Sequence, residues 1–531
     1  MTKKPKFIVV AGSIMSGLGK GILSSSIGKL LSSTGYSVIP IKFDGYLNVD
    51  CGTMNPYRHG EVFVLDDGTE VDMDFGTYER FLNIDLPGIC SITGGKLFQR
   101  IIQKERKGDY LGRDVQFIPH LTDEIKEWVR KVGKESKADI ILVEVGGTAG
   151  DLENGYFLEA MRQLLTEEKG MFIQLTYVPS LSEGEQKTKP TQHATRLLQS
   201  LGIQPDMIIC REQEKITEDT KKKIALYCSI PEKAVIDDPF VRTVYELPLA
   251  LEKQNLYNII VEKLGLEKRR GGIEAWKKLV QKITGPSKKE LNIGMIGKYT
   301  AVKDAYVSAN EALTHAAAAI DHKLNIHFIE SADLEEKDVE KILKPLDGLV
   351  VPGGFGKRGV EGKIRAVEYS RKNKMPYLGL CLGMQLMVIE YARNVCGFKN
   401  ANSTEFEPET ENPVVKILPE KESMLEMGGT LRLGGQDVII KPGTHAHKIY
   451  NSEIARERFR HRYEINPEYI KKLENAGLVF SGKAPKGNIM QITEIKDHPF
   501  FMGGQFHPEF VSRLERPSPL FLAFMKACAK E

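Results

Sequence analysis

The sequence predicts an α/β protein of two domains, each built on a mostly parallel sheet covered by helices. The chain has 531 residues, which is too long for one ordinary core. Short, continuous apolar runs alternate with helical patterns in both halves, and such strands are typical of a parallel sheet buried on both faces. Several runs end directly at glycine or polar residues, and ligands bind at that edge of such sheets.

The first half begins with an apolar run that leads into a glycine-rich loop and a helix. The pattern predicts a strand over residues 7–10 and a helix over about 21–33. Later apolar runs predict strands over residues 38–41, 140–143, 171–175 and 207–210. We therefore expect a first domain over residues 1–266.

The composition of the chain changes between residues 267 and 290, where basic residues and glycines replace the apolar strand pattern. EKRRGG precedes a basic helical stretch, IEAWKKLVQKI, and TGPSKKE follows it. This pattern predicts a linker with a short helix, whose basic residues form a solvated face. A second domain is expected over residues 291–531, where GLVVPGG, PYLGLCLG and FMGGQFHPE each read as a strand that runs into a sharp turn.

The composition is that of an ordinary globular protein. Apolar residues make up 41% and charged residues 27%, and the formal net charge is only +3. So small a net charge gives no electrostatic reason to expect a nucleic-acid partner. No apolar run reaches the length needed to span a membrane. Seven cysteines without metal-like spacing indicate free thiols in a reducing compartment. We therefore expect a cytoplasmic protein without a signal peptide or a membrane partner.

The loop AGSIMSGLGKG, residues 11–21, departs from the usual phosphate-binding pattern. Ile14 stands where that pattern has glycine, and Gly21 replaces the serine or threonine whose hydroxyl holds magnesium. Its backbone N–H groups at the start of a helix still suit phosphate oxygens, and Lys20 suits the outer phosphates. Acidic residues must then bind Mg²⁺, and Asp74 and Glu144 are the candidates.

A candidate nucleophile lies in the second half, where Cys381 directly follows an apolar strand between Gly379 and Gly383. A sharp strand-to-helix turn needs small neighbours, and the helix N-terminus favours a thiolate. A buried core cysteine would be the ordinary interpretation. His507 and Glu509, two residues apart after another strand, favour catalysis because they supply a base and a carboxylate to orient it.

PGGFG, CLGMQ and HPE, in this order, resemble the class I glutamine amidotransferase family. The resemblance implies that Cys381 attacks the side-chain amide of glutamine and that His507 serves as base and acid. It also implies that Glu509 orients His507, and that Gly354 with the amide of Leu382 binds the oxyanion. The products would be glutamate and ammonia, and ammonia needs an acceptor.

EQKTKPTQH, residues 185–193, is the second unusual polar stretch of the first half. Its lysines, hydroxyls and stiffening proline suit a second polyphosphate, although a plain polar surface loop has a similar composition. The irregular stretch over residues 42–68 is also long enough to suggest a functional loop.

The motifs SGLGKG, DFGTYERF, LVEVGGTAGD and KTKPTQH, together with the glutaminase motifs, resemble the CTP synthase family over about residues 5–525. The resemblance implies a deviant P-loop domain, similar to dethiobiotin synthetase, joined to a class I glutaminase domain. It implies a C–N ligase of pyrimidine nucleotide biosynthesis, in which ATP phosphorylates the 4-oxygen of UTP and ammonia displaces that phosphate to form CTP.

The family's binding residues can be placed on this chain. ATP would contact Ser16, Gly17, Leu18, Gly19, Lys20, Gly21, Lys42 and Asp74, with Mg²⁺ on Asp74 and Glu144. UTP and CTP would contact Ser16, Asp151, Leu152, Glu153, Lys187, Thr188, Lys189, Pro190, Thr191, Gln192 and Lys223. Glutamine would contact Gly354, Leu382, Gly383, Met384, Gln385, Glu405 and Arg462.

The resemblance also implies regulation and assembly. The family is activated by GTP, inhibited by CTP and tetrameric, and it can stack into filaments. GGTLRLGG, residues 428–435, resembles the lid associated with activation by GTP. Two alternatives remain at this point. The first is another amidoligase, such as a cobyrinic acid diamide synthase, but that assignment does not explain KTKPTQH. The second is a partition-type ATPase or filament protein, but that assignment does not explain the Cys–His–Glu set.

Overall fold

The structure, a computed structural model, describes residues 4–13, 15–55, 59–181, 184–286, 289–298, 303–417 and 431–530. The chain forms two compact units. The first unit comprises Met1–Cys51 and Thr77–Thr284, and the second comprises Gly52–Gly76 and Gly285–Glu531. Each unit has its own sheet with packed helices, which confirms the predicted two-part α/β fold class.

The strands are numbered in chain order. In the described residues they are Lys6–Gly12 (β1), Val38–Asp44 (β2), Phe63–Val64 (β3), Glu70–Val71 (β4), Ser91–Thr93 (β5), Ile140–Val145 (β6), Gly170–Tyr177 (β7), Met207–Glu212 (β8), Val235–Pro239 (β9), Glu290–Gly297 (β10), Lys323–Glu330 (β11), Gly348–Val351 (β12), Tyr377–Leu380 (β13), Ala401–Ser403 (β14), Asn412–Ile417 (β15), Arg432–Ile440 (β16), Ile454–His461 (β17), Tyr463–Ile465 (β18), Leu478–Lys483 (β19), Met490–Ile495 (β20) and Phe501–Gly504 (β21).

The α-helices of the described residues are Lys20–Ser33, Asp74–Leu82, Gly94–Lys107, Thr122–Ser136, Gly155–Glu167, Lys189–Ser200, Glu218–Cys228, Leu247–Glu252, Leu256–Leu264, Glu274–Thr284, Val307–Ala319, Asp333–Glu336, Val339–Leu343, Val360–Lys372, Leu382–Asn394, His445–Tyr450, Pro467–Asn475 and Pro519–Ala529. Within the part of the chain that the structure describes, none of them combines the length and apolar character needed to cross a membrane.

The sheet of the first unit has seven strands in the order β5-β2-β6-β1-β7-β8-β9, and all its pairings are parallel. Ile8, Val9 and Val10 of β1 are fully buried, as expected for a central strand with helices on both faces. In the register of β2 with β6, Lys42 lies opposite Glu144. Two of the candidate site residues are therefore neighbours in this sheet.

The five strands predicted for the first half are all present, and the structure extends each one at its carboxyl end. The strand predicted over 140–143 continues to Val145 and so contains Glu144. The predicted helix in the basic stretch also forms, as Glu274–Thr284. It belongs to the first unit, where Trp276 is buried and its indole N–H donates to the carbonyl oxygen of Tyr245 (2.9 Å).

The sheet of the second unit has nine strands in the order β11-β10-β12-β13-β21-β20-β19-β16-β17. The pairings from β11 to β21 are parallel, and those from β21 to β17 are antiparallel. The local sequence pattern does not predict this antiparallel half. The β3–β4 hairpin, from the 52–76 segment, also belongs to this unit.

Candidate active site

Cys381 lies on a sharp turn between β13 and the helix Leu382–Asn394. Its φ of 51° and ψ of −99° lie outside the ordinary regions for a side-chain-bearing residue. The turn depends on small neighbours: a Cβ on Gly379 would lie 2.6 Å from the carbonyl carbon of Gly383, and one on Gly383 would lie 2.2 Å from the carbonyl oxygen of Val351. The N-terminus of this helix therefore lies close to the ends of β12 and β13, and Cys381 immediately precedes its first residue.

The His507 imidazole lies next to the Cys381 side chain, and Glu509 contacts the same ring. His507 Nδ1 lies 2.7 Å from Glu509 Oε1, and the Cys381 side chain is close enough to the imidazole to act on it electrostatically. All three residues are at most 9% exposed. Burial disfavours the imidazolium, but the Glu509 carboxylate and the Cys381 sulfur outweigh it and raise the pKa of His507 to about 10. The imidazolium form of His507 is therefore favoured beside the Cys381 sulfur, with Glu509 orienting the ring.

The glycine turn after β12 approaches the same point. A Cβ on Gly353 would lie 2.8 Å from His507 Cε1 and 3.6 Å from Cys381 Cβ, whereas a Cβ on Gly354 would meet nothing closer than 3.6 Å. The assignment of Gly354 to the oxyanion stays a prediction, and Gly353, which was not singled out from the sequence, also approaches His507 and Cys381. The PGG pair was the available signal, since two adjacent glycines after a strand allow close approach of the backbone.

Lys298, which no sequence motif singled out, contacts the backbone of this turn. Its ammonium donates to the carbonyl oxygens of Phe355 and Gly356. The amide N–H of Gly356 donates to Glu405 Oε1 (2.7 Å). Burial lowers the pKa of Lys298 and raises the pKa of Glu405, and the bond from Gly356 only partly offsets the second shift.

Two predicted glutamine contacts lie near the turn. Arg462 is close enough to Glu405 for its positive charge to favour the ionised carboxylate. Gln385 is almost fully buried, and its amide donates to the carbonyl oxygen of Tyr463 (3.1 Å) and to Gln505 Oε1 (3.3 Å). Gln505 in turn donates to the Cys381 sulfur (3.6 Å), so Gln385 reaches the nucleophile through a second amide.

The glycine-rich loop of the first unit leads into the helix Lys20–Ser33 as predicted, although Ile14 lies outside the described residues. Gly17 and Gly19 have positive φ of 72° and 86°, which explains why glycine is required at both. Lys20 Nζ donates to the carbonyl oxygen of Gly147 (2.6 Å), just after β6. The loop and the end of β6 therefore lie side by side, and Ser16 is exposed.

The predicted magnesium ligands occupy different units. Glu144 belongs to the first unit, is buried, and accepts a hydrogen bond from the Tyr78 hydroxyl (2.5 Å). Asp74 begins the helix Asp74–Leu82 and is assigned to the second unit, so their pairing stays a prediction. Across the described ranges, no group of three or more His, Cys, Asp or Glu side chains is arranged to hold a metal. Mg²⁺ held by one or two carboxylates and substrate phosphates needs no such group.

The KTKPTQH stretch forms the start of the helix Lys189–Ser200, with Pro190 in its first turn. A helix N-terminus attracts anions, and the polyphosphate site at this stretch stays a prediction. Thr191 and Gln192 are buried, and their side chains bond to Thr176 and Thr188. Any contact of these two residues with a phosphate would therefore use their backbone.

The remaining predicted nucleotide residues lie on turns of the first unit. Asp151 accepts hydrogen bonds from the backbone and hydroxyl of Thr148 (2.6 and 2.8 Å), while Leu152 and Glu153 are exposed. Lys223 is exposed, and its charge acts on Glu185 at the start of the KTKPTQH stretch. Of the predicted lid, residues 428–430 lie outside the described residues and only 431–435 are described.

Comparisons with known proteins agree with this arrangement. Residues 6–266 match the family described as CTP synthase N-terminus, and residues 301–527 match the family described as glutamine amidotransferase class-I. The chain is 53% identical over 99% of its length to the CTP synthase of Archaeoglobus fulgidus, covering 98% of that protein. It is 51% identical over 99% of its length to the CTP synthase of Methanopyrus kandleri, covering 99% of that protein.

A solved structure of the glutaminase domain of Trypanosoma brucei CTPS, with bound acivicin, is 39% identical and covers 45% of this chain and 94% of its own, with a TM-score of 0.43. The two family matches fall on the two halves of the chain, and the named relatives span nearly all of it. The chain therefore belongs to the CTP synthase family.

Proposed function

We propose that the chain catalyses the ATP-dependent amination of UTP to CTP, with ammonia released from L-glutamine. The observation that carries this proposal is the buried set of Cys381, His507 and Glu509 on a turn built for a nucleophile. The chain also carries a phosphate-binding loop, so one polypeptide can release ammonia and activate its acceptor. We assign the synthase reaction to residues 1–266, a linker to 267–290 and the glutaminase reaction to 291–531.

In the glutaminase reaction, the Cys381 sulfur attacks the side-chain carbonyl carbon of glutamine. The negative charge that develops on the carbonyl oxygen is stabilised by the amide of Leu382 and the glycine turn at Gly354. His507 donates its proton to the departing ammonia, and water then hydrolyses the thioester to glutamate. The proposed glutamine contacts are Gly354, Leu382, Gly383, Met384, Gln385, Glu405 and Arg462.

In the synthase reaction, the terminal phosphoryl group of ATP passes to the 4-oxygen of UTP, because a carbonyl oxygen is a poor leaving group. Ammonia attacks C4 and phosphate departs, leaving CTP and ADP. Lys20 and Lys42 place positive charge near the transferring group. The proposed ATP contacts are Ser16 to Gly21, Lys42 and Asp74. The proposed UTP and CTP contacts are Ser16, Asp151 to Glu153, Lys187 to Gln192 and Lys223.

Magnesium bound with ATP would neutralise phosphate charge, and Glu144 and Asp74 are the residues that would hold it. The buried carboxylate of Glu144 beside Lys42 in the sheet suits this role. We further propose activation by GTP, feedback inhibition by CTP, a homotetramer that can form filaments, and a cytoplasmic location. These proposals rest on family membership.

The test is CTP formation by purified protein supplied with ATP, Mg²⁺, UTP and either glutamine or ammonium chloride. The Cys381→Ala variant is expected to lose the reaction with glutamine and to keep the reaction with ammonia. Absence of CTP with both nitrogen sources in the wild type would refute the proposal. Loss of both reactions in a folded Cys381→Ala variant would refute the two-site scheme.

A further inference from the structure

The 52–76 segment is covalently part of the first half of the chain but packs within the second unit. Three arginines of β17, at alternate positions along the strand, hold it there. The contacts are Arg456 with Asp66 (2.7 Å), Arg458 with the carbonyl oxygen of Val64 (3.1 Å), and Arg460 with Glu70 (2.6 Å). Because these side chains are spaced two residues apart, they project from the same face of the strand, and all three contact the segment.

The main chain of the same strand contacts the proposed catalytic residues. The carbonyl oxygen of Arg458 accepts the backbone N–H of His507 (2.8 Å). The carbonyl oxygen of Arg460 is the acceptor for the thiol of Cys381 (3.8 Å). Arg458 and Arg460 therefore contact the segment with their side chains and the catalytic residues with their backbone. Arg456 pairs with Asp66 and Asp437.

Arg460 makes further contacts beside its ion pair with Glu70. Its guanidinium also donates to the carbonyl oxygen of Gly52 (3.2 Å), at the start of the segment, and lies 5.5 Å from the ring of Phe355 in the glycine turn. The side chains of Arg460 and Glu70 are 16% and 5% exposed, against 53% and 39% for Arg456 and Asp66. A shielded ion pair is screened less by solvent, so displacement of Glu70 acts strongly on Arg460.

A second, aromatic contact joins the segment to His507. Phe63 of β3 packs edge-on against Phe510 with ring centroids 4.9 Å apart, and Phe510 stacks on the imidazole of His507 at 5.0 Å. Phe63 and Phe510 are both buried. Packed rings of this kind have few alternative positions, so the segment also constrains the orientation of the base.

We propose that Arg460 is a positioning residue that couples the 52–76 segment to the reactivity of Cys381. This inference rests on the proposed function, in which Asp74, four residues after Glu70, takes part in binding Mg²⁺ and ATP. Nucleotide binding at Asp74 shifts the preferred position of Glu70, and Arg460 transmits the change to its own carbonyl oxygen beside the thiol. Glutamine hydrolysis then speeds up when an acceptor is ready, and less ammonia is lost.

The experiment measures glutamate release by the full-length protein with and without ATP, Mg²⁺ and UTP, and takes the ratio of the two rates. Arg460→Met is expected to lower this ratio about fivefold or more, while CTP formation from ammonium chloride stays within about twofold. Arg460→Lys, which keeps the charge, is expected to restore part of the ratio. Glu70→Gln is expected to act in the same direction and serves if Arg460→Met fails to fold.

Arg456→Met is the matched control, because it breaks an ion pair between the same strand and the same segment. It is expected to keep the wild-type ratio. A wild-type ratio of one, an unchanged ratio in both Arg460→Met and Glu70→Gln, or an equal loss in Arg456→Met would overturn the inference. The proposed function fails separately, if Cys381→Ala releases glutamate as fast as the wild type.

Discussion

Replacing Gly383 with alanine tests whether the helix N-terminus beside Cys381 has to lie where the structure places it. A Cβ at this position would lie 2.2 Å from the carbonyl oxygen of Val351 and 3.2 Å from that residue's own Cβ. Both are parts of β12 that cannot rotate away. Ordinary contact begins at about 3.4 Å, so the helix start and the strand must separate by about 1.2 Å.

This displacement acts directly on the proposed oxyanion site, because Leu382 is the first residue of the same helix. Overpacking of this kind costs about 1–3 kcal/mol of stability. Misplacement of a catalytic group by about 1 Å costs about 100-fold in rate, so we expect Gly383→Ala to lose about 100-fold in glutamine-dependent CTP formation. CTP formation from ammonium chloride should remain within about twofold of the wild type.

The assay compares CTP formation from glutamine and from ammonium chloride at saturating ATP and UTP. Gly272→Ala is the control, because a Cβ there meets nothing within 4 Å. It should leave both rates unchanged. A Gly383→Ala variant whose glutamine-dependent rate stays within about threefold of the wild type would show that the close approach of helix and strand does not determine catalysis.

Two further substitutions each remove one charged side chain from a proposed site. Glu509→Gln removes the carboxylate that raises the pKa of His507. Because this pKa is about 10 in the folded protein and about 6.5 in the unfolded chain, protonated His507 stabilises the fold fully below pH about 6.5. This stabilisation is lost as the pH rises through about 10. Urea unfolding should therefore show a loss of about 1–2 kcal/mol near pH 6 that shrinks toward pH 10, and a constant loss would contradict the assignment. Lys20→Ala removes the charge that contacts Gly147 and is expected to abolish CTP formation from both nitrogen sources, while Cys381 still forms its thioester with glutamine. Appreciable CTP from ammonium chloride in this variant would exclude Lys20 from phosphoryl transfer.

Much of the first sheet follows from local sequence. Continuous apolar runs such as residues 140–143 predict buried parallel strands, and the structure contains them with slightly later ends. The antiparallel half of the second sheet was missed. Its outer strand β17 carries arginines at alternate positions, and Arg456 and Arg460 pair with carboxylates almost 400 residues earlier in the chain. No window along the sequence contains both partners.

The proposed catalytic residues Cys381, His507 and Glu509 could be selected from sequence because their chemistry limits the choice of residues. A thiol between glycines after one strand, and a histidine two residues before a glutamate after another, form a rare combination whose parts are recognisable one at a time. The oxyanion turn was less accessible, since Gly353 and Gly354 are alike in sequence. Only the structure shows that a Cβ on Gly353 would meet His507, whereas a Cβ on Gly354 would meet Lys298 and Leu382.

The sequence by itself determined the fold class, the central strands of the first sheet, and the residue types proposed to carry the chemistry. Apolar periodicity and glycine placement are local properties, which makes them readable without a structure. Only the tertiary structure decided that the 52–76 segment joins the second unit and that Arg460 lies between Glu70 and Cys381. Contacts between distant residues depend on the packing of the whole chain, and one sequence does not specify which distant charges will meet.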